Sequence, residues 1–266
     1  MLFNPISEIL SCVWSLLQTN FITALAGAGA GALGAQFITE KIKNKESLLK
    51  EIRNVNSAIS LANHMCLYFF AVKSNGTKTV YEIYFKDRNA FIENLSKGKT
   101  IGDFDYIREC TLIPEPQVHI KNLRKLVFNH ITLGEKAVSA FVFLDESIKL
   151  FSTSLNGRNK LIENYLIRFK NFSDDESDEE TMNYFGLEHN GNLNVLHLSF
   201  VEQMKIRNDD CLFLIILLIA ELTKHGKTLV NKYKGEVPEI FEPNYPEAFR
   251  KGLIPYDKRY ENWRFK

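Results

Sequence analysis

The stretch FITALAGAGAGALGAQFITEKIKNKE, residues 21–46, decides how this chain is organised. From Phe21 to Ile38 it contains no charged side chain, and only Thr23 and Gln36 are overtly polar. A helix of this length reaches about 27 Å, close to the thickness of the hydrocarbon core of a bilayer. We therefore predict a membrane span at residues 21–38, and a buried core helix rich in alanine and glycine is the alternative.

Small residues fall four apart along this predicted span, in two rows. Such rows let two helix backbones approach closely in lipid, where packing drives association. The pattern therefore predicts self-association through the span. The residues of the two rows are Gly27, Gly31 and Ala35, and Ala24, Ala28 and Ala32.

Other interpretations of the glycine-rich stretch fit the sequence less well. The pattern Gly27-x-Gly29-x-x-Ala32 resembles a dinucleotide fingerprint, but no strand-like segment precedes it. A Walker A loop would continue from Gly34 with lysine and a hydroxyl residue, which are absent. A cleaved signal peptide needs a basic start, whereas the first twenty residues carry only Glu8 as a charged side chain.

Lysines follow the span and set its predicted orientation. By the positive-inside rule they place the body of the protein in the cytoplasm and the N-terminus outside. Residues 1–40 would then be an anchoring segment of a single-pass protein of a bacterial inner membrane, with an amphipathic helix containing Trp14 in the interface. The four lysines are Lys41, Lys43, Lys45 and Lys50.

Composition limits the classes of function. The chain has 266 residues, of which 45% are hydrophobic and 24% are charged, so it can bury a substantial core. Its net charge is +1, and we predict no nucleic-acid binding. The four cysteines are far apart, lack metal-site spacing and are expected to be free thiols, and we predict no cofactor. They are Cys12, Cys66, Cys110 and Cys211.

The body, residues 41–234, has the spacing of an all-α fold. Apolar residues from Leu48 to Phe69 alternate four and three apart, which is typical of a coiled-coil seam or of a helix packing in its own domain. As a coiled-coil seam it would support parallel homo-oligomerisation together with the span. We expect this first helix to stop at Ser74–Gly76.

Four further helical patterns complete the expected bundle. We predict a second helix within residues 76–99, a turn-rich connector with Pro114 and Pro116, and a short helix over 120–131. A long helix at Glu135–Lys170, bent at Asn156–Gly157, should pack against the first helix and against a helix at Asp209–Tyr233, capped by Asp209 or Asn208.

Two segments read as irregular. Residues 173–181 contain six acidic side chains and predict a solvated loop, because like charges repel. Residues 235–266 combine four prolines with interleaved aromatic residues, so we predict a tail that lies across the body. A docking peptide for a protein partner is the alternative for the tail.

Few residues suggest chemistry. Asp209 and Asp210 could act as paired carboxylates, and Glu221 and His225 share a helix face where they could offer two metal ligands. Capping explains one of the aspartates without catalysis. These four are the candidate catalytic residues, and no known catalytic motif accompanies them.

Four fragments carry a resemblance: GALGAQFITEKIKNKESLLKEIRNVNSAI, GRNKLIENY, YFGL and NDDCLFLIILLIAEL. Together they resemble a group of bacterial proteins of unknown function that have one N-terminal span and a helical cytosolic body. The resemblance implies a bacterial inner-membrane location and implies no catalytic residues.

The leading functional hypothesis is a membrane-tethered, self-associating scaffold, sensor or effector in a bacterial stress response or in defence against phage. Its partners would be the bilayer, further copies of the chain and an unidentified protein. A membrane-bound hydrolase or metal-dependent enzyme is one alternative. A pore-forming effector that perturbs the membrane is another.

Overall fold

The fold is all-α, as predicted. The computed structural model describes residues 5–17, 20–101, 106, 108–171, 178–233, 235–255 and 258–263. Most of this part of the chain is helical, and it contains one hairpin of two short strands with two residues each. The elements are α1 (Pro5–Leu17), α2 (Asn20–Val72), α3 (Lys78–Ser96), α4 (Ile120–Asn129), α5 (Glu135–Asn171), α6 (Asp178–Phe185), β1 (Glu188–His189), β2 (Asn192–Leu193), α7 (Leu196–Lys232) and α8 (Pro246–Arg250).

The predicted long first helix is present as α2, which has 53 residues. The expected stop at Ser74–Gly76 is wrong, because Lys73–Thr77 form a π-helical turn that leads directly into α3. This wider turn keeps the helical backbone hydrogen-bonded through the glycine. The second helix ends as predicted, at Ser96, and Gly98 follows with a φ of 75°.

The apolar seam of α2 faces the core of its own bundle. Its residues from Ile52 onwards pack mainly against α7 and α4. The expectation that Leu48–Phe69 joins two copies is therefore corrected, since a buried stripe offers no surface to a second chain. Six fully buried members of the seam are Ile52, Val55, Ile59, Ala62, Cys66 and Phe69.

Helix α7 is the central helix, and it contacts both α5 and α2 extensively. It begins at Leu196, thirteen residues before Asp209, so Asp209 and Asn208 lie inside the helix and do not cap it. The sequence concealed this start because the buried stripe of its first turns contains His197 and Asn208 beside Val201 and Met204. The apolar segment 211–222 is a buried core segment, as predicted.

Helix α5 runs unbroken from Glu135 to Asn171, within one residue of the prediction at its C-terminal end. Gly157 does not interrupt it. A Cβ atom at this position would lie 2.6 Å from Cε1 of Phe200 in α7, so the glycine permits close packing of the two helices.

The predicted solvated loop at residues 173–181 is wrong from Asp178 onwards, where the acidic stretch is helical. Helix α6 begins at Asp178, and its first turn contains Asp178, Glu179 and Glu180, which suit the positive end of a helix dipole. Residues 172–177 lie outside the described part of the chain. After α6, β1 and β2 form an antiparallel pair across a turn at Asn190 and Gly191.

The tail lies along the bundle. The Asn56 side chain donates to the Glu239 carbonyl and accepts from the Phe241 amide, at 2.8 and 3.0 Å. The Tyr245 hydroxyl donates to Asn63 at 2.8 Å. The Tyr260 ring stacks on Phe213 with the ring centroids 4.2 Å apart. Pro246–Arg250 and Lys258–Trp263 form short helical turns within this otherwise irregular segment.

Candidate membrane-anchoring site

The outer part of α2, residues 24–47, is exposed along its whole length. Large apolar side chains are among them: Leu25, Leu33 and Phe37 are 62%, 70% and 68% exposed. Burial begins only at Leu48, and the core begins at Ile52. One continuous helix therefore carries a long uncovered segment out of a packed bundle.

The two small-residue rows lie on this exposed segment. A Cβ atom added at Gly27 or at Gly31 would have no non-neighbouring heavy atom of the described chain within 4 Å. The alanines of the rows are exposed as well. Because successive residues turn by about 100°, the two rows occupy one face of the helix. Within the described chain this face is available to another helix.

The continuous helical segment Ala24–Ser96 comprises most of α2, the π-helical turn and α3. It is the one described segment long and apolar enough to cross a membrane, with a mean hydropathy of 1.3 over eighteen residues. Half of that eighteen-residue stretch is buried. Since residues 24–47 are all exposed, the stretch belongs to the inner part of α2 that packs in the bundle. Within the described part of α2, exposure distinguishes the uncharged residues 24–38 from this inner stretch.

Helix α1 lies where the sequence predicts a helix before residues 21–38. Its apolar residues Ile9, Leu10, Val13 and Trp14 are 48–66% exposed. An exposed apolar stripe next to a tryptophan is typical of a helix that lies in a membrane interface.

Polar side chains of α1 and of outer α2 bond to their own helices. The Ser11 and Ser15 hydroxyls donate to the carbonyls of Glu8 and Cys12, and Thr39 donates to the carbonyl of Ala35 at 2.8 Å. Such local bonds lower the cost of placing a hydroxyl where water is scarce.

The predicted membrane-proximal lysines follow directly. Lys41, Lys43, Lys45 and Lys50 are all exposed. In the described part of the chain no carboxylate lies within 4.0 Å of their ammonium groups. Their charges thus remain available to an acidic surface.

The candidate catalytic Asp209 is part of a buried ion pair. The Lys73 ammonium lies 2.6 Å from its Oδ1, and the same ammonium donates to the Leu253 carbonyl at 2.9 Å. The Lys205 ammonium lies 3.5 Å from its Oδ2. Through Lys73, Asp209 therefore connects the π-helical turn and the tail to α7.

Asp210 faces different groups. It accepts a hydrogen bond of 2.8 Å from the Tyr260 hydroxyl and one of 3.3 Å from Arg207. The two neighbouring aspartates thus hold separate partners, and the paired-carboxylate arrangement is not formed.

Glu221 and His225 share a face of α7 as predicted, but each is paired with another helix. Glu221 lies 3.1 Å from the Lys136 ammonium of α5, and His225 Nε2 lies 3.2 Å from the Glu51 carboxylate of α2. Asp209 is twelve residues from Glu221, or about 18 Å along the helix. The four candidate catalytic residues do not form one site.

Two histidines that are distant in sequence meet on the surface. The rings of His64 in α2 and His119 before α4 lie 5.9 Å apart, in an open groove beside Asn56 and Ser60. Two imidazoles are fewer ligands than a stable metal site requires. Within the described residues, no group of three or more histidine, cysteine, aspartate or glutamate side chains could hold a metal ion.

Sequence reasoning missed a buried cluster around Arg158. This fully buried arginine donates to the carbonyls of Thr111 and Glu109, and the adjacent Asn159 bonds both main-chain groups of Ile113. The connector before α4 is thereby fixed to α5. The sequence signal for this cluster is Arg158 itself, which lies between Leu155 and Ile162 in the apolar stripe of α5.

The same cluster contains His197 of α7. Its ring stacks on Tyr184 at 4.5 Å, and the Arg108 guanidinium lies 4.8 Å from the Tyr184 ring on the connector side. Burial, reinforced by the nearby charge of Arg158, lowers the pKa of His197 to about 3. His197 is therefore neutral at physiological pH, and the cluster joins the GRNKLIENY and YFGL fragments into one core.

Comparison of the chain with protein families, with curated proteins and with solved structures found no match. The geometry of the chain is therefore the basis of the functional assignment.

Proposed function

We propose that this protein is a membrane-anchored, self-associating scaffold, sensor or effector whose helical bundle lies at the cytoplasmic face of a bacterial inner membrane. The observation that carries the proposal is the outer part of α2. Residues 24–38 have no charge, are exposed at every position and belong to a helix whose inner part packs in the core. A contiguous apolar surface of this kind marks contact with a membrane or with another protein.

Charge supports the orientation. The first lysine, Lys41, comes three residues after Ile38, and Lys43, Lys45 and Lys50 follow, whereas residues 1–20 have none. An excess of lysine on one side of a span favours the cytoplasm for that side.

Self-association is proposed through the small-residue rows alone. The apolar seam from Ile52 to Phe69 is used within the chain, whereas the face with Gly27 and Gly31 is uncovered. Close backbone contact at glycine and alanine is a recurrent way for helices to associate in lipid.

The continuity of α2 suggests how such a protein would transmit a signal. A helix that is apolar and exposed at one end packs on the central helix α7 at the other. A change in span packing would therefore reach the bundle through one rigid element. A stress response or defence against phage is the role that we propose for this coupling.

Cell fractionation with a truncated chain tests the anchor. Every described side chain that the removal of residues 1–40 takes away, at positions 8–15 and 24–40, is exposed, and along α2 burial begins at Leu48. We expect the full chain in the membrane fraction and the truncated chain in the soluble fraction. Recovery of both chains in the soluble fraction would contradict the proposal.

Size analysis in mild detergent tests self-association with a matched pair of variants. Gly31 lies in a row, whereas Gly29 points away from both rows. We expect Gly31→Leu to yield monomers and Gly29→Leu to leave the oligomer intact. An oligomer that persists in Gly31→Leu would contradict association through the rows.

A further inference from the structure

A groove lies where the outer part of α2 meets the C-terminal end of α7. It has a volume of about 350 Å³. Two segments nearly 190 residues apart in sequence build it. Its principal lining residues are Phe37, Glu40, Lys41, Lys45, Lys232 and Tyr233.

The groove is basic. Three lysines against Glu40 leave a net charge of +2. The Glu40 carboxylate already accepts a hydrogen bond of 3.2 Å from Gln36. Among the described residues, no carboxylate lies within 4.0 Å of the ammonium of Lys41, Lys45 or Lys232. The three ammonium groups are thus able to bind an anion without first breaking an ion pair.

The position of the groove indicates which anion. Lys41 lies less than one turn beyond Ile38, the last residue of the uncharged segment, and Phe37 lies within that segment. If residues 21–38 span the bilayer, the groove stands at the depth of the cytoplasmic headgroups. Aromatic rings such as those of Phe37 and Tyr233 are common beside headgroups, and lysines there attract anionic lipids.

We propose that this groove binds the phosphate of an anionic phospholipid of the cytoplasmic leaflet. Lys45 and Lys232 hold the phosphate between α2 and α7, and the Phe37 and Tyr233 rings flank the start of the acyl chains. The end of the central helix is thereby held at the membrane surface. This inference rests on the proposed membrane anchoring and adds a lipid class and a site to it.

Spin-labelled lipids test the site with the full chain reconstituted in phosphatidylcholine vesicles. The vesicles contain a trace of spin-labelled phosphatidylglycerol or phosphatidylcholine, and the ratio of their association with the protein is measured at 0.15 M salt. The groove variant is Lys45→Gln with Lys232→Gln. The control is Lys43→Gln with Lys50→Gln, which removes the same charge from exposed residues that do not line the groove.

We expect the wild-type chain to prefer phosphatidylglycerol and the groove variant to lose at least about fivefold of that preference, since each lysine near an anionic surface contributes about that factor. The control should change the ratio by less than about twofold, because Lys43 and Lys50 do not line the groove and act on a lipid phosphate only through screened, longer-range attraction. At 1 M salt the preference of the wild-type chain should fall, because screening weakens the charge contacts.

Equal losses in the groove variant and in the control would overturn the site while leaving membrane anchoring intact, because the lysines would then act as a diffuse basic belt. Failure of the wild-type chain to enter phosphatidylcholine vesicles would overturn the anchor and the lipid site together. The two failures are distinguished by incorporation, which is measured before lipid preference.

Discussion

The two parts of α2 share one helical backbone and have opposite surroundings. Residues 24–47 are exposed, whereas the stripe from Ile52 to Phe69 is fully buried. All four glycines of α2 lie in the outer part. In water each costs about 1 kcal/mol relative to alanine, so the outer part is a poor helix by propensity. In lipid the unpaired backbone is far more costly, and a helix is then enforced whatever the propensity.

The largest expected difference between the two parts of α2 comes from replacing one phenylalanine by alanine in each part. Phe69 is fully buried and packs edge-on against Phe151, with ring centroids 5.6 Å apart. We expect Phe69→Ala to lower the free energy of unfolding by about 3–5 kcal/mol, through lost burial and a cavity. Urea unfolding of the full chain in mild detergent, followed by circular dichroism, measures the change.

Phe37→Ala is the matched control, because Phe37 is 68% exposed. We expect the free energy of unfolding of the bundle to change by less than about 0.5 kcal/mol. Comparable losses in both variants would mean that the outer part of α2 packs in the core, and the contrast between the two parts would be wrong.

Glycine replacements sharpen the comparison at a smaller scale. Gly157→Ala places a methyl group against the Phe200 ring, 2.6 Å from its Cε1 atom, so we expect a loss of about 1–3 kcal/mol despite the better helix propensity of alanine. Gly31→Ala meets nothing within 4 Å and should leave the unfolding of the bundle unchanged. The urea midpoints of the two variants in the same detergent check this. A stabilised Gly157→Ala would show that α5 and α7 are less closely packed.

Long helices with regular spacing could be predicted from the sequence. The length of α2, the bounds of α5 and the burial of 211–222 follow from apolar residues at three- and four-residue intervals. The same spacing could not distinguish a seam between two copies from a seam within one chain, because both bury one stripe of a helix. Tertiary packing decides that question for α2.

The remaining features depend on pairs that are remote in sequence. The start of α7 was missed because His197 and Asn208 are buried polar residues. The Lys73–Asp209 ion pair joins segments more than 130 residues apart, and it replaces the predicted role of Asp209 as a cap. The lysines after the uncharged segment 21–38 were evident from sequence, but the contribution of Lys232 to the same groove was not.

The outer part of α2 and the bundle should also differ in their response to low pH. Residues 24–38 contain no titratable side chain, whereas the bundle buries His197 in the neutral form. The pKa of His197 is about 3 in the folded chain, below the value of about 6.5 expected for an exposed histidine. Arg158 and Arg108 lower this pKa further, so protonation inside the bundle is opposed by positive charge as well as by burial. Charged and titratable groups around the ring are Arg108, Arg158, Tyr84, Tyr165 and Tyr184.

The sign of the effect follows from proton binding. Between pH 6.5 and about 3 the unfolded chain binds a proton at His197 that the folded chain does not bind, so the stabilisation present above pH 6.5 is lost as the pH falls. We expect His197 to contribute a decrease of up to about 1.4 kcal/mol per pH unit in the free energy of unfolding. His197→Gln should have a shallower slope in urea titrations between pH 7 and 5, whatever its stability at neutral pH. If the uncharged outer part of α2 anchors the chain as proposed, membrane attachment should persist over the same range in flotation assays. Parallel slopes for wild type and variant in the urea titrations would mean that His197 is accessible to protons in the folded bundle. Detachment at pH 5 in the flotation assay would mean that the bundle, not the outer helix, holds the chain at the membrane.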